Sequence, residues 1–165
     1  MSLLSKIFKY ILPEERVGIS LEQGPCWEVS RIEDLPSFLR ALIDLVPLES
    51  TLYLEGNSIS KDIQLYLEAR KPQQITKVET GTIWPHPKCF HMAITYESLD
   101  GLAQLADKHA EPEIADHLHI YKDNKIILQW YDAFSDPFYI SKEILEDKVK
   151  NFCSRLNTTY KIGEF

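Results

Sequence analysis

Side chains suited to metal or acid–base chemistry crowd into one stretch of this chain. All five histidines fall between His86 and His119, and Glu111, Glu113, Asp116, Asp132 and Asp136 stand in or just after the same stretch. His117 and His119 form an His-x-His pair. On a β-strand, residues two apart project from one face, so the two imidazoles would stand about 6 to 7 Å apart at the Cβ level. With Asp132 and Glu111 as carboxylate donors they would compose a site for a divalent metal such as zinc or manganese, a carboxylate also fixing the imidazole tautomer. Such a site implies a metal-dependent enzyme of hydrolase type. The pair alone is a weak signal, because the third and fourth ligands must come from loops. The competing reading makes His117 and His119 semi-buried polar residues that hold the register of a hairpin through hydrogen bonds.

Other reactive arrangements are thinner. Cys89 and His91 would share a strand face, but no acid follows to orient the imidazole. The chain has no Gly-x-Ser-x-Gly elbow, and the lone Gly56 between a strand and a helix lacks both the Gly-x-Gly-x-x-Gly spacing and a Gly-Lys-Ser/Thr ending. Trp130, Tyr131 and Phe134, next to Asp136, instead concentrate aromatic and acidic groups of the kind that anchor protein interfaces.

These residues depend on a hairpin for their placement. Asp123-Asn124 separates two runs of strand-forming residues, and both residue types tolerate the positive φ of a tight turn. A two-residue loop pairs Lys122 with Lys125, Tyr121 with Ile126, Ile120 with Ile127, His119 with Leu128, Leu118 with Gln129 and His117 with Trp130. Both faces of that hairpin are then largely apolar, which predicts a central position in a sheet.

Helical spacing predicts an amphipathic N-terminal helix over residues 1–12 on Leu4, Ile7, Phe8 and Ile11, and a second helix from Asp34 to Val46. Further helices follow Ser58 and Thr95, the latter ending near His109, and a last one starts at Ser141 with Leu145, Val149, Phe152, Cys153 and Leu156 in one stripe. Strands are predicted over 26–32, 51–55, 76–84, 89–94 and 138–140, besides the hairpin. Residues 158–165 read as a frayed tail.

The chain of 165 residues fits one domain, 1–165, and needs no disulfide or metal to reach a stable core. Its 18 basic and 25 acidic side chains give a net charge of -7, which disfavours nucleic acid and anionic membrane and favours a basic protein partner. Three scattered cysteines without Cys-x-x-Cys spacing, and no apolar run long enough to span a bilayer, point to the cytoplasm.

The fold expected is α+β: a single mixed or mostly antiparallel sheet with helices packed on its faces and a late β-hairpin around Asp123-Asn124. The function expected is that of a small binding or regulatory protein, without catalysis or cofactor, acting through a protein surface or small cleft. The metal-dependent enzyme is the alternative.

Overall fold

The computed structural model describes residues 18–135 and 137–165. The predicted helix over 1–12 and Asp136 lie outside the described residues. Seven strands form one antiparallel sheet in the order β3-β2-β4-β5-β6-β1-β7. They are β1 (Pro25–Val29), β2 (Thr51–Gly56), β3 (Lys88–Ala93), β4 (His117–Lys122), β5 (Lys125–Trp130), β6 (Phe138–Ser141) and β7 (Tyr160–Glu164). The helices are α1 (Leu35–Leu45), α2 (Lys61–Glu68), α3 (Tyr96–Ala106) and α4 (Glu146–Arg155), with a short 3-10 turn at Glu111–Glu113.

Two helix starts follow from their caps. Asp34 accepts from the Ser37 amide at 3.0 Å, and Thr95 and Ser98 cap one another reciprocally at 2.9 and 3.0 Å. Each cap satisfies amide groups that a helix cannot satisfy itself. The apolar stripes of all four helices then bury against one face of the sheet, made by Trp27, Leu52, Leu54, Leu118, Ile120, Leu128, Trp130, Phe138 and Ile140 among others. Phe38 sits at the centre of this layer, its ring edge-on to Trp130, Phe138 and Phe152 at centroid distances of 5.1, 5.7 and 5.9 Å.

The other sheet face is different in kind. It presents Cys26, Tyr53, Glu55, His91, His117, His119, Tyr121, Ile126 and Gln129, and residues 19–21 and 76–82 lie across it. Ile19 and Val78 form a single parallel bridge there, and Leu21 and Val78 pack with Cys26, Tyr53, Tyr121 and Ile126 in a small second core.

Four sequence expectations are corrected. Residues 76–84 are a strap and not a strand of the sheet: Glu79 N donates to Ile19 O at 2.9 Å in the single bridge, while Thr76 N is met by the Tyr121 hydroxyl at 3.2 Å and Gly81 N and Thr82 N by the Glu55 carboxylate at 3.2 and 2.7 Å. The tail is not frayed; Tyr160–Glu164 pairs with β1 along five positions. The last helix begins at Glu146 rather than Ser141, leaving Leu145 exposed ahead of it while Val149, Phe152 and Cys153 are buried as expected.

The fourth correction is the hairpin register. Lys122 faces Lys125 and Tyr121 faces Ile126 as predicted, but Ile120 faces Leu128, His119 faces Gln129 and Leu118 faces Trp130. Ile127 is thus the extra residue of a β-bulge. The bulge lets Ile127, Leu128 and Trp130 all reach the helix-packed core. Every cross-strand partner beyond it shifts by one, so Trp130 leaves the histidine face and Gln129 takes its place.

Candidate functional site

The register decides what surrounds the two histidines. Glu55 on β2 lies directly opposite His117 on one side and Cys89 on the other, and Tyr53 lies between His91 and His119. Glu55 is fully buried. Its carboxylate accepts from the Tyr53 hydroxyl at 2.8 Å as well as from the Gly81 and Thr82 amides, which ties the strap to the sheet. A buried carboxylate persists only when its lone pairs are met, and three donors meet these. Burial, hydrogen bonding to Cys89 and the Glu55 charge together push the Tyr53 phenol far above its ordinary range, so it stays a neutral donor.

Both imidazoles have their Nδ1 lone pair occupied. Asp132 N donates to His117 Nδ1 at 2.9 Å, and Trp130 N donates to His119 Nδ1 at 3.2 Å. In a neutral ring an accepting Nδ1 puts the proton on Nε2, so each ring offers an N–H there instead of a metal-binding lone pair. His119 is also only 1% exposed, stacked on Tyr53 with ring planes 6° apart and edge-on to Tyr131. Its Nε2 and the Gln129 Nε2 are buried with no acceptor among the described residues. Among the described residues no three His, Cys, Asp or Glu side chains are placed to hold a metal. The residues expected as ligands thus share a neighbourhood without a common focus.

A cleft of about 490 Å³ does gather several of them. Its lining includes His117, Asp132, Glu111 and Phe134 from the sequence reading, joined by Asp116 and Thr82. The polar rim stands on apolar walls from Pro112, Ala115, Ala133 and Phe134. The loop after β5 is held in strained backbone, with φ of 43° at Asp132 and 78° at Phe134. Positive φ at a bulky side chain costs roughly 1 to 3 kcal/mol and persists only where packing imposes it. Here Phe134 is buried edge-on to Trp130 at 5.1 Å, and Ala133 N donates to Asp116 O at 2.9 Å. The packing of Phe134 thus holds the loop that places Asp132 in the cleft lining.

Other expected site residues go elsewhere. Trp130 is buried on the helix side and presents no surface. Tyr131 is half-buried against the His117 and His119 rings. Cys89 Sγ stands 3.1 Å from the Tyr53 hydroxyl while His91 Nδ1 lies 2.9 Å from the Tyr121 hydroxyl, so these two do not form a nucleophile–base pair. Partial desolvation of the sulfur pushes the thiol of the otherwise exposed Cys89 up, away from reactivity. His109 is bound at Nε2 to Asp62 at 2.9 Å, an exposed tie from α3 to α2 that raises the imidazole and lowers the Asp62 carboxyl to about 2.

Glu55 and Gly81 were not singled out by the sequence, and Asp116 was counted among the nearby acids without being assigned to the site. Gly81 is required by close approach: a Cβ there would fall 2.6 Å from His117 Cδ2 and 2.9 Å from Tyr131 Cδ1. Glu55 had one usable signal, an acid alternating with Tyr53 opposite the apolar Leu52 and Leu54.

Burial, with the neighbouring His117 adding to it, lowers His119 to about 3. An unfolded histidine titrates near 6.5, so below that pH the unfolded chain takes up a proton that folded His119 refuses. The associated stability is whole above about pH 6.5 and drains as pH falls toward 3, at up to about 1.4 kcal/mol per pH unit. His91, also lowered by burial, acts with the same sign. Urea unfolding is expected to show about 2 kcal/mol less stability from this source at pH 5 than at pH 7.5, and His119→Asn is expected to flatten the profile by that amount. Equal slopes in the two proteins would show that folded His119 takes up protons freely.

Fold and cleft together define an α+β protein with a single antiparallel sheet, helices on one face and a strapped polar array on the other. No helix among the described residues is long and apolar enough to cross a membrane. No family model, no curated protein and no solved structure matches the chain.

Proposed function

We propose that this chain is a small cytoplasmic binding or regulatory protein that works without catalysis, and that the cleft at the end of the β4–β5 hairpin receives a basic group of a protein partner. The observation that carries the reading is the charge of the cleft. Among the described residues, Glu111, Asp116 and Asp132 line it, no lysine or arginine does, and none of the three has a basic partner. The net charge of -7 adds long-range attraction for a cation. Three free thiols, two of them buried, support a reducing compartment.

The test is calorimetric titration with short cationic, neutral and anionic peptides at two ionic strengths. Only the cationic peptide is expected to bind, more weakly at high salt, and the double variant Glu111→Gln/Asp132→Asn is expected to lose about tenfold in affinity, since each partly exposed ion pair contributes up to about 1 kcal/mol. Binding that ignores both the peptide charge and the variant would overturn the reading. So would near-stoichiometric zinc or manganese uptake lost in His117→Ala, which would restore the metal-dependent alternative.

A further inference from the structure

The two edges of the sheet are finished differently. At the β3 edge, Ala93 N donates to Arg70 O at 3.0 Å, so the chain after α2 closes part of that row. The β7 edge is open among the described residues, and the bonds beside it fix which groups point outward. Gly24 and Phe165 exchange both backbone bonds, at 3.2 and 3.0 Å, and Ser30 N donates to Thr159 O at 2.9 Å. In an antiparallel ladder such exchanging pairs recur at every second residue. The register of β1 with β7 therefore turns Lys161 and Gly163 toward β1, and leaves the N–H and C=O groups of Tyr160, Ile162 and Glu164 facing outward. β7 has neither a proline nor a bulge, the devices that commonly protect an edge.

On the helix side of this edge, apolar side chains are exposed. Ile162 lies opposite Trp27 there and is 66% exposed. Leu145, 72% exposed, stands on the same side, because Ile144 O accepts from Trp27 Nε1 at 3.0 Å and Glu146 Oε1 accepts from the Tyr160 hydroxyl at 3.1 Å. The other side carries charge. Lys161 Nζ lies 3.1 Å from Glu28 Oε1, and Glu28 leans over Gly163, where an added Cβ would fall 3.0 Å from Glu28 Oε2. One carboxylate oxygen thus holds Lys161 while the other lies over a residue without a side chain.

From these we infer that β7 docks a second copy of this chain, the two β7 strands pairing antiparallel about a two-fold axis at Ile162. That register uses every outward group: Ile162 exchanges bonds with Ile162 of the second copy, and Tyr160 with its Glu164. An axis one residue earlier would oppose two lysines. Because the axis is perpendicular to the sheet, both helix layers stay on one side, and Ile162 and Leu145 of each copy lose water together. On the other side Lys161 of the second copy comes directly opposite Gly163, whose bare backbone leaves it room, and its ammonium meets the Glu28 carboxylate already lying there. Two Glu28 and two Lys161 then alternate across the axis, so the edge is complementary in charge to itself. The net charge of -7 on each copy opposes the approach, and a short edge belongs to the weak, transient class of contact. The inference is independent of the cleft.

The experiment is sedimentation equilibrium of the full chain from about 10 µM to 1 mM, where a reversible doubling of mass is expected. Ile162→Lys puts like charges at the axis on an exposed side chain and is expected to weaken association at least about tenfold, as is Lys161→Glu. The exchange Glu28→Lys/Lys161→Glu restores opposite charges within and between copies, and is expected to recover most of the loss. Amide exchange in the unaltered protein gives a reading that needs no variant to fold. Tyr160, Ile162 and Glu164 amides should slow as concentration rises, while those of Lys161 and Gly163, bonded to β1, should change little. The mass of a single chain up to 1 mM would overturn the inference. So would a dimer indifferent to Ile162→Lys, which would place the contact elsewhere. Slow exchange at the three outward amides at every concentration would also overturn it, since the edge would then be covered within one chain.

Discussion

Phe38→Ala is expected to remove about 3 to 5 kcal/mol of folding stability, a third or more of what a domain of this size typically has. Phe38 is fully buried in α1, and its ring is the point where three other elements meet: Trp130 from β5, Phe138 from β6 and Phe152 from α4. Truncation forfeits the transfer energy of the ring and three edge-on aromatic contacts, each contributing roughly 0.5 to 1.5 kcal/mol beyond burial. Collapse into the space is hindered, because Phe138 and Trp130 are fixed by strand pairing and Phe152 by the helix. Urea denaturation should show a lowered midpoint with an unchanged slope. Tyr96→Ala, on the solvent side of α3 at 74% exposure, is the control and should change stability by about 0.5 kcal/mol or less. A loss for Phe38→Ala as small as that of the control would mean that the helix layer does not pack on Phe38 as described.

The helix layer was legible in the sequence because its signals are local. The spacing of Leu35, Phe38, Leu39 and Leu42, the Asp34 and Thr95 caps and the Pro47 stop each act within a turn or two of helix, and α1 and α3 appear where those signals place them. The hairpin was legible at its turn for the same reason. It became illegible three residues further on. A bulge at Ile127 is chosen by what the side chains meet in the core, and two consecutive apolar residues, Ile127 and Leu128, carry no mark of which one is extra. The strap and β7 failed similarly. Residues 76–84 alternate as a strand does, yet Thr76, Gly81 and Thr82 bond to Tyr121 and Glu55, two side chains distant in sequence, and Lys77 and Glu79 bond to the backbone of Ile19. Residues 160–164 look polar because β7 is an edge strand, whose outer face meets water.

For the site, composition identified the region and geometry changed its chemistry. His117, Asp132, Glu111 and Phe134 do share a cleft, but the chemistry of an His-x-His pair depends on which ring nitrogen carries the proton, and backbone amides of Trp130 and Asp132 decide that here. Those amides arrive at the imidazoles from the far strand and its loop. Residue order alone does not say so. Asp116 read as a turn residue and does serve as one, accepting from Asn57 N at 3.1 Å, while it also faces the cleft.

Glu55→Ala is expected to loosen the strap and with it the cleft, at a cost of about 3 kcal/mol or more. The carboxylate is buried and accepts from two strap amides and the Tyr53 hydroxyl, so its removal leaves three donors without their acceptor. Each buried donor left unmet costs roughly 1 to 3 kcal/mol, and breaking a buried charged network by deleting one member costs about 3 to 5. Water reaches the half-buried Gly81 and Thr82 amides and offsets part of that, which favours the lower end of the range. The damage should be local in character. Amide exchange at Gly81 and Thr82 should accelerate toward the rate of open chain, while α1 and α3 amides respond only to the fall in global stability. Glu55→Gln keeps the volume but offers one acceptor oxygen to three donors, and should fall between the alanine variant and the unaltered protein. Because Thr82 walls the cleft and Gly81 packs on His117, both substitutions should also weaken the cationic peptide, although Glu55 itself does not line the cleft. Unaltered exchange at Gly81 and Thr82 in Glu55→Ala would show that the strap is held by Val78, Ile19 and Thr76 alone, and that the carboxylate under it has no structural part in forming the cleft.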